Sequence, residues 1–331
     1  MDTVRQQISS IYSRSAIPDG TQYMDLAGKT AEILRSEDER LRPQDRGGES
    51  GGLLLLGAII SDIPTIIVPD LHARMEFITA LLDYCPEEES VLSSLSGNSI
   101  RIVFLGDGFH SERRGIKRWN RAYREFLAGN ILSPGMHDEM RESLGLMEMV
   151  MVLKCSFPQQ VHFLKGNHEN IKNEEGGGNH PFYKFADEGE MVRDYILEQY
   201  GPEFLDTYSM FEKALPLCAI GERFMASHAE PRFFYDEKKL VNCRFFPEVV
   251  EGLTWTGNDE AEPGSVQRML EYYLPGVADS LYFGGHRTVD ACYALRAEDR
   301  FVQIHDPNAY RIAIVPSDRS FDLKTDIRSV R

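Results

Sequence analysis

Short apolar runs that end in polar residues recur along the middle of the chain. The runs at residues 66–68, 100–105 and 161–164 are rich in β-branched and aromatic side chains, which is typical of buried strands. Helical apolar spacing follows the first run at residues 75–84, and a mostly helical stretch at 117–151 separates the second run from the third. This alternation of strands and helices predicts an α/β fold.

The second half of the chain continues the pattern with shorter segments. Residues 185–200 have the spacing of a helix, and later segments alternate between apolar and polar residues. Further strands are therefore predicted at residues 224–226, 280–283, 300–304 and 310–315. The first two of these strands lead, like the earlier three, into a polar cluster.

Glycine and polar residues divide the chain. The first 46 residues are polar with helical stretches, and we expect an extension that packs on the core or frays from it. The glycine-rich segment after them predicts a flexible joint. Residues 53–68 are the most apolar, but they are too short to span a bilayer and predict two buried strands joined by a turn. The predicted organisation is an extension at 1–46, a joint at 47–52, a main domain at 53–316 with a helical insertion or cap at about 116–156, and a tail at 317–331.

Composition narrows the choice of partners. The 331 residues include 36 basic and 52 acidic side chains, and the net charge of −16 argues against a broad surface for nucleic acid or an anionic membrane. A phosphate substrate is still compatible, because bound metal ions and local arginines would set the electrostatic field at a site. Five scattered cysteines without a CxxC pair, and a start without the apolar core of a signal peptide, predict free thiols in a reducing cytoplasm.

The polar residues at the first two strand ends are of metal-binding types. Asp70 and His72 are two positions apart, so in extended backbone both side chains point the same way and can bind one ion. Asp107 follows Gly106 at the next strand end, and a carboxylate there can bridge two ions about 3.5–4 Å apart. Taken alone, an Asp-x-His pair is a weak pattern, and an Asp after a strand is a common turn residue.

The third strand end is more specific. Asn167 offers an amide oxygen to a second ion, and the adjacent His168 can then point at a leaving-group oxygen as a general acid. His228 and His286 end later apolar runs and, together with the earlier clusters, favour metal ligation. Because ligands at the ends of successive strands converge at one edge of a sheet, these clusters predict one two-metal phosphoesterase site. Asp, His and Asn without Cys favour Mn²⁺, Fe or Zn²⁺.

Five motifs carry a resemblance to a known family. They are PDLHA at 69–73, GDGFH at 106–110, GNHE at 166–169, SHAE at 227–230 and GHR at 285–287. The chain resembles the calcineurin-like metallophosphoesterases and, within them, the phosphoprotein phosphatase family of Ser/Thr phosphatases. That family reads GD-x-HG, GD-x-VDRG, GNHE, HGG and a late His. Three segments outside these motifs also resemble the sequence of that family. They are residues 211–220, 253–256 and 306–310.

The resemblance implies a two-sheet β-sandwich flanked by helices, with a dinuclear metal site at the C-terminal ends of the strands. His168 would protonate the leaving group, and a hydroxide that bridges the ions would attack phosphorus in line, so no side-chain nucleophile is needed. Mn²⁺ is the first choice for both ions, with Fe or Zn²⁺ as alternatives. The implied ligands are Asp70, His72 and Asp107 for the first ion and Asp107, Asn167, His228 and His286 for the second.

The chain departs from the family's motifs at several positions. Pro69 and Ala73 stand where the family has glycine, HGG has become His228-Ala229-Glu230, and the family's DRG after the bridging Asp is out of register. None of these changes removes a metal ligand. We expect the other histidines to be structural or exposed, except His110 because it lies close to the bridging Asp; these others are His137, His162, His180 and His305.

The loop after the bridging Asp should still return one guanidinium to the phosphate. Arg113 is preferred over Arg114 because Glu112-Arg113 repeats the family's acid–arginine order, and Arg268 is a weaker candidate. The alternative is that both loop arginines are solvated charges. Either Glu112 or His110 is expected to orient the general acid, as outer groups commonly do.

These expectations describe a metal-dependent enzyme that hydrolyses phosphomonoesters, with a phosphoprotein as the favoured substrate in the manner of Ser/Thr phosphatases. A hydrolase of nucleotides or dinucleoside polyphosphates is the second enzymatic interpretation. A binding or scaffolding protein that kept the fold without turnover is the third, and only the altered arginine motif favours it. No nucleic-acid or membrane partner is expected, and the oligomeric state is left open.

Overall fold

Residues 2–331 are described by the computed structural model, in which helices and strands alternate through much of the chain. The α-helices are α1 (Asp2–Ser13), α2 (Gly20–Arg35), α3 (Met75–Asp83), α4 (Val91–Ser96), α5 (Ile116–Leu127), α6 (Pro134–Ser156), α7 (Glu188–Tyr200), α8 (Pro202–Lys213), α9 (Glu237–Val241), α10 (Pro247–Thr254) and α11 (Ser265–Tyr273). The strands are β1 (Leu53–Leu55), β2 (Thr65–Val68), β3 (Arg101–Phe104), β4 (Val161–Phe163), β5 (Cys218–Ile220), β6 (Phe224–Ser227), β7 (Leu281–Gly284), β8 (Ala294–Arg296), β9 (Phe301–Gln303), β10 (Arg311–Val315) and β11 (Ile327–Ser329).

The strands form two sheets whose inner faces share a core. One sheet has the order β1-β5-β6-β7-β9-β8, and the other has the order β11-β10-β2-β3-β4. Successive side chains of a strand point to opposite faces, so Ile66 and Val68 pack on the helices while Ile67 joins the core between the sheets. Because both faces are buried, these strands read as unbroken apolar runs in the sequence. The two strands predicted within residues 53–68 belong to different sheets.

Helices cover the two outer faces of this sandwich. Buried side chains of α1 to α8 form one cluster with the five-stranded sheet, and those of α9 to α11 form another with the six-stranded sheet. The chain is thus a two-sheet sandwich flanked by helices, and the predicted fold class is confirmed. Among the helices of residues 2–331, none combines the length and the apolar character that crossing a lipid bilayer requires.

The helices between β3 and β4 contribute to the core of the sandwich. β3 and β4 are parallel neighbours, and parallel strands need a long crossover connection, which α5 and α6 supply. α6 is buried along most of its length, with Leu144, Met147 and Met151 in the main core. The expectation of an insertion or cap stays a prediction, and the side chains of these helices form part of the core.

The N-terminal residues also pack on the core. Ile11 of α1 and Tyr23 and Leu34 of α2 are buried in the same cluster as the helices of the five-stranded sheet. Beyond them Gly51 is buried, and a Cβ atom at this position would come within 2.6 Å of the carbonyl oxygen of Val241. The glycine-rich segment therefore includes a close backbone contact at Gly51, and the flexible joint stays a prediction.

Candidate metal centre

The candidate ligands come together at one edge of the sandwich. β2, β3 and β4 of one sheet and β6 and β7 of the other end here, and the loops that follow them carry the predicted residues. These loops hold non-glycine residues in left-handed backbone, with φ of 43° at His72, 53° at Asp107, 64° at His110 and 60° at His286. Strained residues of this kind cluster at functional sites, where the surrounding contacts must hold them in place.

Three of the candidate ligands pack into a tight group. Nε2 of His228 lies 2.9 Å from Oδ1 of Asn167 and 3.2 Å from Nδ1 of His286, and the last two atoms are 3.0 Å apart. Nδ1 of His228 lies 3.0 Å from the carbonyl oxygen of Leu105 and donates its proton there. Nε2 of His228 therefore turns a lone pair toward other acceptors, an arrangement that a cation between them would stabilise.

The imidazole of His72 repeats this arrangement beside two carboxylates. Its Nδ1 lies 3.1 Å from the carbonyl oxygen of His110 and donates to it, which leaves the lone pair on Nε2. That Nε2 is 3.8 Å from Oδ2 of Asp70 and 3.7 Å from Oδ2 of Asp107. Oδ2 of Asp107 is also 3.4 Å from Nε2 of His228. Asp107 thus lies between the two groups of ligands, in the position that a bridging carboxylate would need.

Backbone N–H groups and a glycine hold this central carboxylate. Glu169, the last residue of GNHE, accepts the backbone N–H groups of Gly166, Asp107 and Gly108 at 2.6, 3.0 and 2.8 Å. These bonds tie the loop after β3 to the loop after β4. A Cβ atom at Gly166 would come within 2.2 Å of Oδ1 of Asp107, so only glycine fits beside the carboxylate.

Burial sets the protonation states of these groups. It lowers the pKa of His72 to about 4 and holds the pKa of His286 well below its usual value, so both imidazoles are neutral, which is the form that binds metal. Burial and the carboxylates of Asp70 and Glu169 raise the pKa of Asp107 well above its usual range. Adjacent buried carboxylates are costly without a counter-charge, and the donor set therefore fits divalent cations.

His168 is paired with a second histidine. Its Nδ1 lies 2.7 Å from Nδ1 of His110, and its Nε2 lies 3.6 Å from Oδ2 of Asp107. Burial lowers the pKa of His110 to about 3, and burial together with the His110 charge holds the pKa of His168 well below its usual value. Two neutral imidazoles can share one proton between their Nδ1 atoms. Of the two residues expected to orient His168, His110 is the one in contact with it.

Glu112 lies elsewhere than expected. Its Oε1 is 3.6 Å from Nε2 of His72, and its Oε2 is 3.1 Å from Nε2 of His305. Within the described residues no hydrogen bond or ion pair joins Glu112 to His168. Of the two alternatives for the residue that orients the general acid, the contacts favour His110 over Glu112.

The three candidate arginines differ in what they contact. Arg113 is exposed and lines a cavity of about 550 Å³ beside the candidate ligands. Arg114 donates to Glu142 at 2.7 Å and to a backbone carbonyl oxygen of the loop after β2 at 2.8 Å. Arg268 lies on α11 and donates to Glu262 at 3.2 Å. It is not among the residues that line this cavity.

Two residues of this site were not selected from the sequence. His305 is fully buried, and its ligand atom lies within 4.8 Å of those of Asp70 and His72. Phe182 packs its ring against His168, with 3.8 Å between the ring centroids. The sequence could have pointed to His305, since this residue directly precedes the segment 306–310 that resembles the family. Phe182 lies in a loop of mixed composition that carries no such signal.

Comparison with known proteins bears on the fold. No protein-family model and no curated protein matches the sequence. The structure is similar to a protein serine/threonine phosphatase from Saccharomyces cerevisiae with similarity to human phosphatase PP5, at a TM-score of 0.58 and 11% identity over 94% of this chain and 89% of that chain. It is less similar to a cold-active protein-tyrosine phosphatase of a psychrophilic Shewanella, at a TM-score of 0.48 and 11% identity over 89% and 91% of the chains. At the level of the fold, the likeness to the yeast serine/threonine phosphatase confirms the predicted resemblance to phosphatases.

Proposed function

We propose that the protein is a metal-dependent phosphoesterase that hydrolyses phosphomonoesters. One observation carries this proposal: Nε2 of His72 and Nε2 of His228 each turn a lone pair toward buried oxygen ligands instead of toward a proton. Mn²⁺ is the first choice for the ions, because oxygen and imidazole donors suit it, with Fe or Zn²⁺ as alternatives. The proposed ligands are Asp70, His72 and Asp107 for the first ion and Asp107, Asn167, His228 and His286 for the second.

In the proposed reaction, the metal ions and the side chains of the protein have different roles. Two divalent ions, when bound, supply Lewis acidity at the phosphoryl oxygens and a water of lowered pKa for in-line attack. His168 presents Nε2 toward Asp107 at 3.6 Å, where it can give a proton to a leaving-group oxygen. His168 would give this proton as an imidazolium, and the neutral ring that remains can accept the Nδ1–H of His110 at 2.7 Å. Phe182 shields the pair of imidazoles from water.

A phosphorylated protein side chain is the proposed substrate, ahead of a nucleotide or a dinucleoside polyphosphate. The fold likeness to a serine/threonine phosphatase supports this preference. The cavity of about 550 Å³ beside His72 also supports it, because Arg113 and Lys184 line it and can meet a phosphate dianion. A reducing cytoplasm is the proposed compartment, which the five free cysteines favour.

A metal-binding protein without turnover is the second candidate. The observation in its favour is the carboxylate of Glu112, which lies 3.6 Å from Nε2 of His72 in a loop where the resembled family has an arginine. A negative charge there would oppose phosphate binding. The two candidates predict the same metal content and differ only in hydrolysis.

The test is a hydrolysis screen on metal-free protein reconstituted with Mn²⁺. The substrates are nitrophenyl phosphate, Ser/Thr and Tyr phosphopeptides, nucleotides and dinucleoside polyphosphates, and elemental analysis gives the metal content of the same samples. We expect two ions per chain and Mn²⁺-dependent turnover, with the fastest turnover on a phosphopeptide. Two bound ions without turnover on any substrate would establish the second candidate, and the absence of metal binding would reject both.

A further inference from the structure

The carboxylate of Glu112 has no role in the proposed reaction. It lies on the first-ion side of the site, beside the proposed ligands Asp70 and His72. Oε1 of Glu112 lies 3.6 Å from Nε2 of His72, almost the same separation as the oxygens of Asp70 and Asp107 at 3.8 and 3.7 Å. Ligand atoms bound to one ion at about 2.0–2.2 Å are separated by about 3–4.3 Å. Each of the three oxygens therefore lies at a distance from Nε2 of His72 that two ligands of one ion can have.

The loop that carries Glu112 is fixed from outside the site. Glu139 of α6 accepts the backbone N–H of Ser111 at 2.7 Å and its hydroxyl at 2.5 Å. The indole N–H of Trp119 donates to the carbonyl oxygen of Ser111 at 3.0 Å. These bonds hold the turn in which the side chain of Glu112 points inward, with only 12% of it exposed. A solvated loop charge would not be held in this way.

His305 provides the remaining contact to this carboxylate. Its Nε2 lies 3.1 Å from Oε2 of Glu112 and 4.0 Å from Oδ2 of Asp70, whereas its buried Nδ1 has no hydrogen-bond partner within residues 2–331. A buried N–H without an acceptor costs more than a bare lone pair beside apolar groups, so the proton belongs on Nε2. His305 then donates to Glu112 and is a positioning residue rather than a ligand.

We propose that Glu112 is a further ligand of the first ion and that His305 orients its carboxylate, an inference that rests on the proposed two-metal function. The first ion would then be held by three carboxylates, those of Asp70, Asp107 and Glu112, and by the imidazole of His72. The second ion shares Asp107 and otherwise has neutral ligands. The first site should therefore bind a divalent cation more tightly than the second, because more negative charge surrounds it.

The experiment titrates metal-free full-length protein with Mn²⁺ by calorimetry and follows the coupled two-ion signal by electron paramagnetic resonance. Glu112→Gln should weaken the tighter of the two binding events at least about tenfold and leave the weaker one unchanged, since even outer groups of metal sites contribute that much. His305→Gln should weaken the same event less. The double variant should match Glu112→Gln alone, because His305 acts through Glu112. Melting temperatures of all variants report on folding.

A matched control removes a charge from the same cavity without touching the ligands. Asp290 lines this cavity and is exposed, so Asp290→Asn should leave both binding events unchanged. Unchanged binding in Glu112→Gln would overturn the inference while the two-metal proposal stands. Additive losses in the double variant, with the larger loss from His305→Gln, would make His305 the ligand and overturn the assignment. If the wild-type protein binds no Mn²⁺, the proposed function itself fails.

Discussion

The two halves of the candidate metal centre are built differently. On the second-ion side Asn167, His228 and His286 place their ligand atoms within 3.2 Å of one another, and all three follow the resembled family's motifs. On the first-ion side Asp70 and His72 also follow the motifs, and on both sides some neighbouring residues depart from them. The second-ion side is thus a closed group of neutral donors, whereas the first-ion side opens onto a cavity and is rich in carboxylates.

The origin of the ligands explains this difference. The proposed second-ion ligands follow strands that are buried on both faces, so the sandwich itself fixes their positions. The first-ion side is completed by the loop 108–115 and by the segment after β9, whose paths depend on distant contacts such as that between Ser111 and Glu139. Changes in these loops can alter the charge around the first ion without disturbing the fold. The first-ion side is therefore where we expect this chain to differ in chemistry from the phosphatases it resembles.

The largest effect should come from Asp107, which the two halves share. Asp107→Asn keeps an oxygen that can accept the backbone N–H of His168, now at 3.0 Å, so the fold should persist. It removes the charge that both ions would use, and we expect both ions to be lost and hydrolysis abolished together. Elemental analysis and phosphomonoester turnover on the same sample measure this. Turnover at the wild-type rate would show that the two halves do not share a bridging carboxylate.

The next largest effect should come from His168, which is proposed to act as the general acid and not as a metal ligand. His168→Gln should keep both ions and lower turnover by about 10²–10⁴, the range for the loss of a general acid. The loss should shrink for nitrophenyl phosphate, whose leaving group needs little protonation, and stay large for alkyl phosphates. Equal losses on both substrates would contradict the acid role, and a missing ion would make His168 a ligand.

The same division separates what the sequence could predict from what it could not. The strands that end at residues 68, 104 and 163 were predictable because burial on both faces leaves continuous β-branched runs. Their polar ends then had to meet at one edge of the sheet. The side chains of Glu112 and His305 could not be placed in this way, because they meet across 193 positions of sequence and their loops carry no periodicity.

Helices show a related limit of sequence patterns. Apolar spacing predicted that residues 117–151 are largely helical, but it did not show which surface those helices cover. α6 is buried almost all round, with Met140, Leu144 and Met147 among its core residues, and such a helix lacks the single apolar stripe of a surface helix. Its role as a crossover followed only from the parallel pairing of β3 and β4. The sequence pattern alone could therefore not distinguish an insertion or cap from a crossover that belongs to the core.

A smaller effect should distinguish the two arginines beside the first ion. Arg113 is exposed in the cavity, and Arg113→Ala should raise KM and lower kcat with both ions retained. The loss in kcat/KM should be about tenfold to a hundredfold, the value of a hydrogen bond to a charged group. Arg114 braces Glu142, so Arg114→Ala should lower the melting temperature more than it lowers kcat/KM.

Steady-state kinetics and melting curves of the two single variants and the double variant provide the measurement. If all three keep the wild-type kcat/KM, the phosphate is bound elsewhere. Lys184 is then the next residue to test, because it lines the same cavity and its Nζ lies 3.7 Å from Glu112. Arg268 falls behind it, since its guanidinium is paired with Glu262.

The smallest effect concerns the partner of the general acid. His110 occupies the position of an aspartate in the resembled family's motif, and a carboxylate there would stabilise a protonated imidazole. The pKa of His168 is held well below its usual value, first by burial and then by His110. His110→Asp should raise that pKa, so that His168 stays protonated to higher pH and the pH range of alkyl phosphate hydrolysis extends upward. The gain in kcat at neutral pH should not exceed about tenfold, the equivalent of one pKa unit.

His110→Asn is the matched control, because it removes the same ring without adding charge and should not extend the pH range. Both variants should keep their metal, since it is the backbone carbonyl of residue 110 that accepts the proton of His72. Identical pH profiles for the two variants would mean that residue 110 does not control the proton on His168.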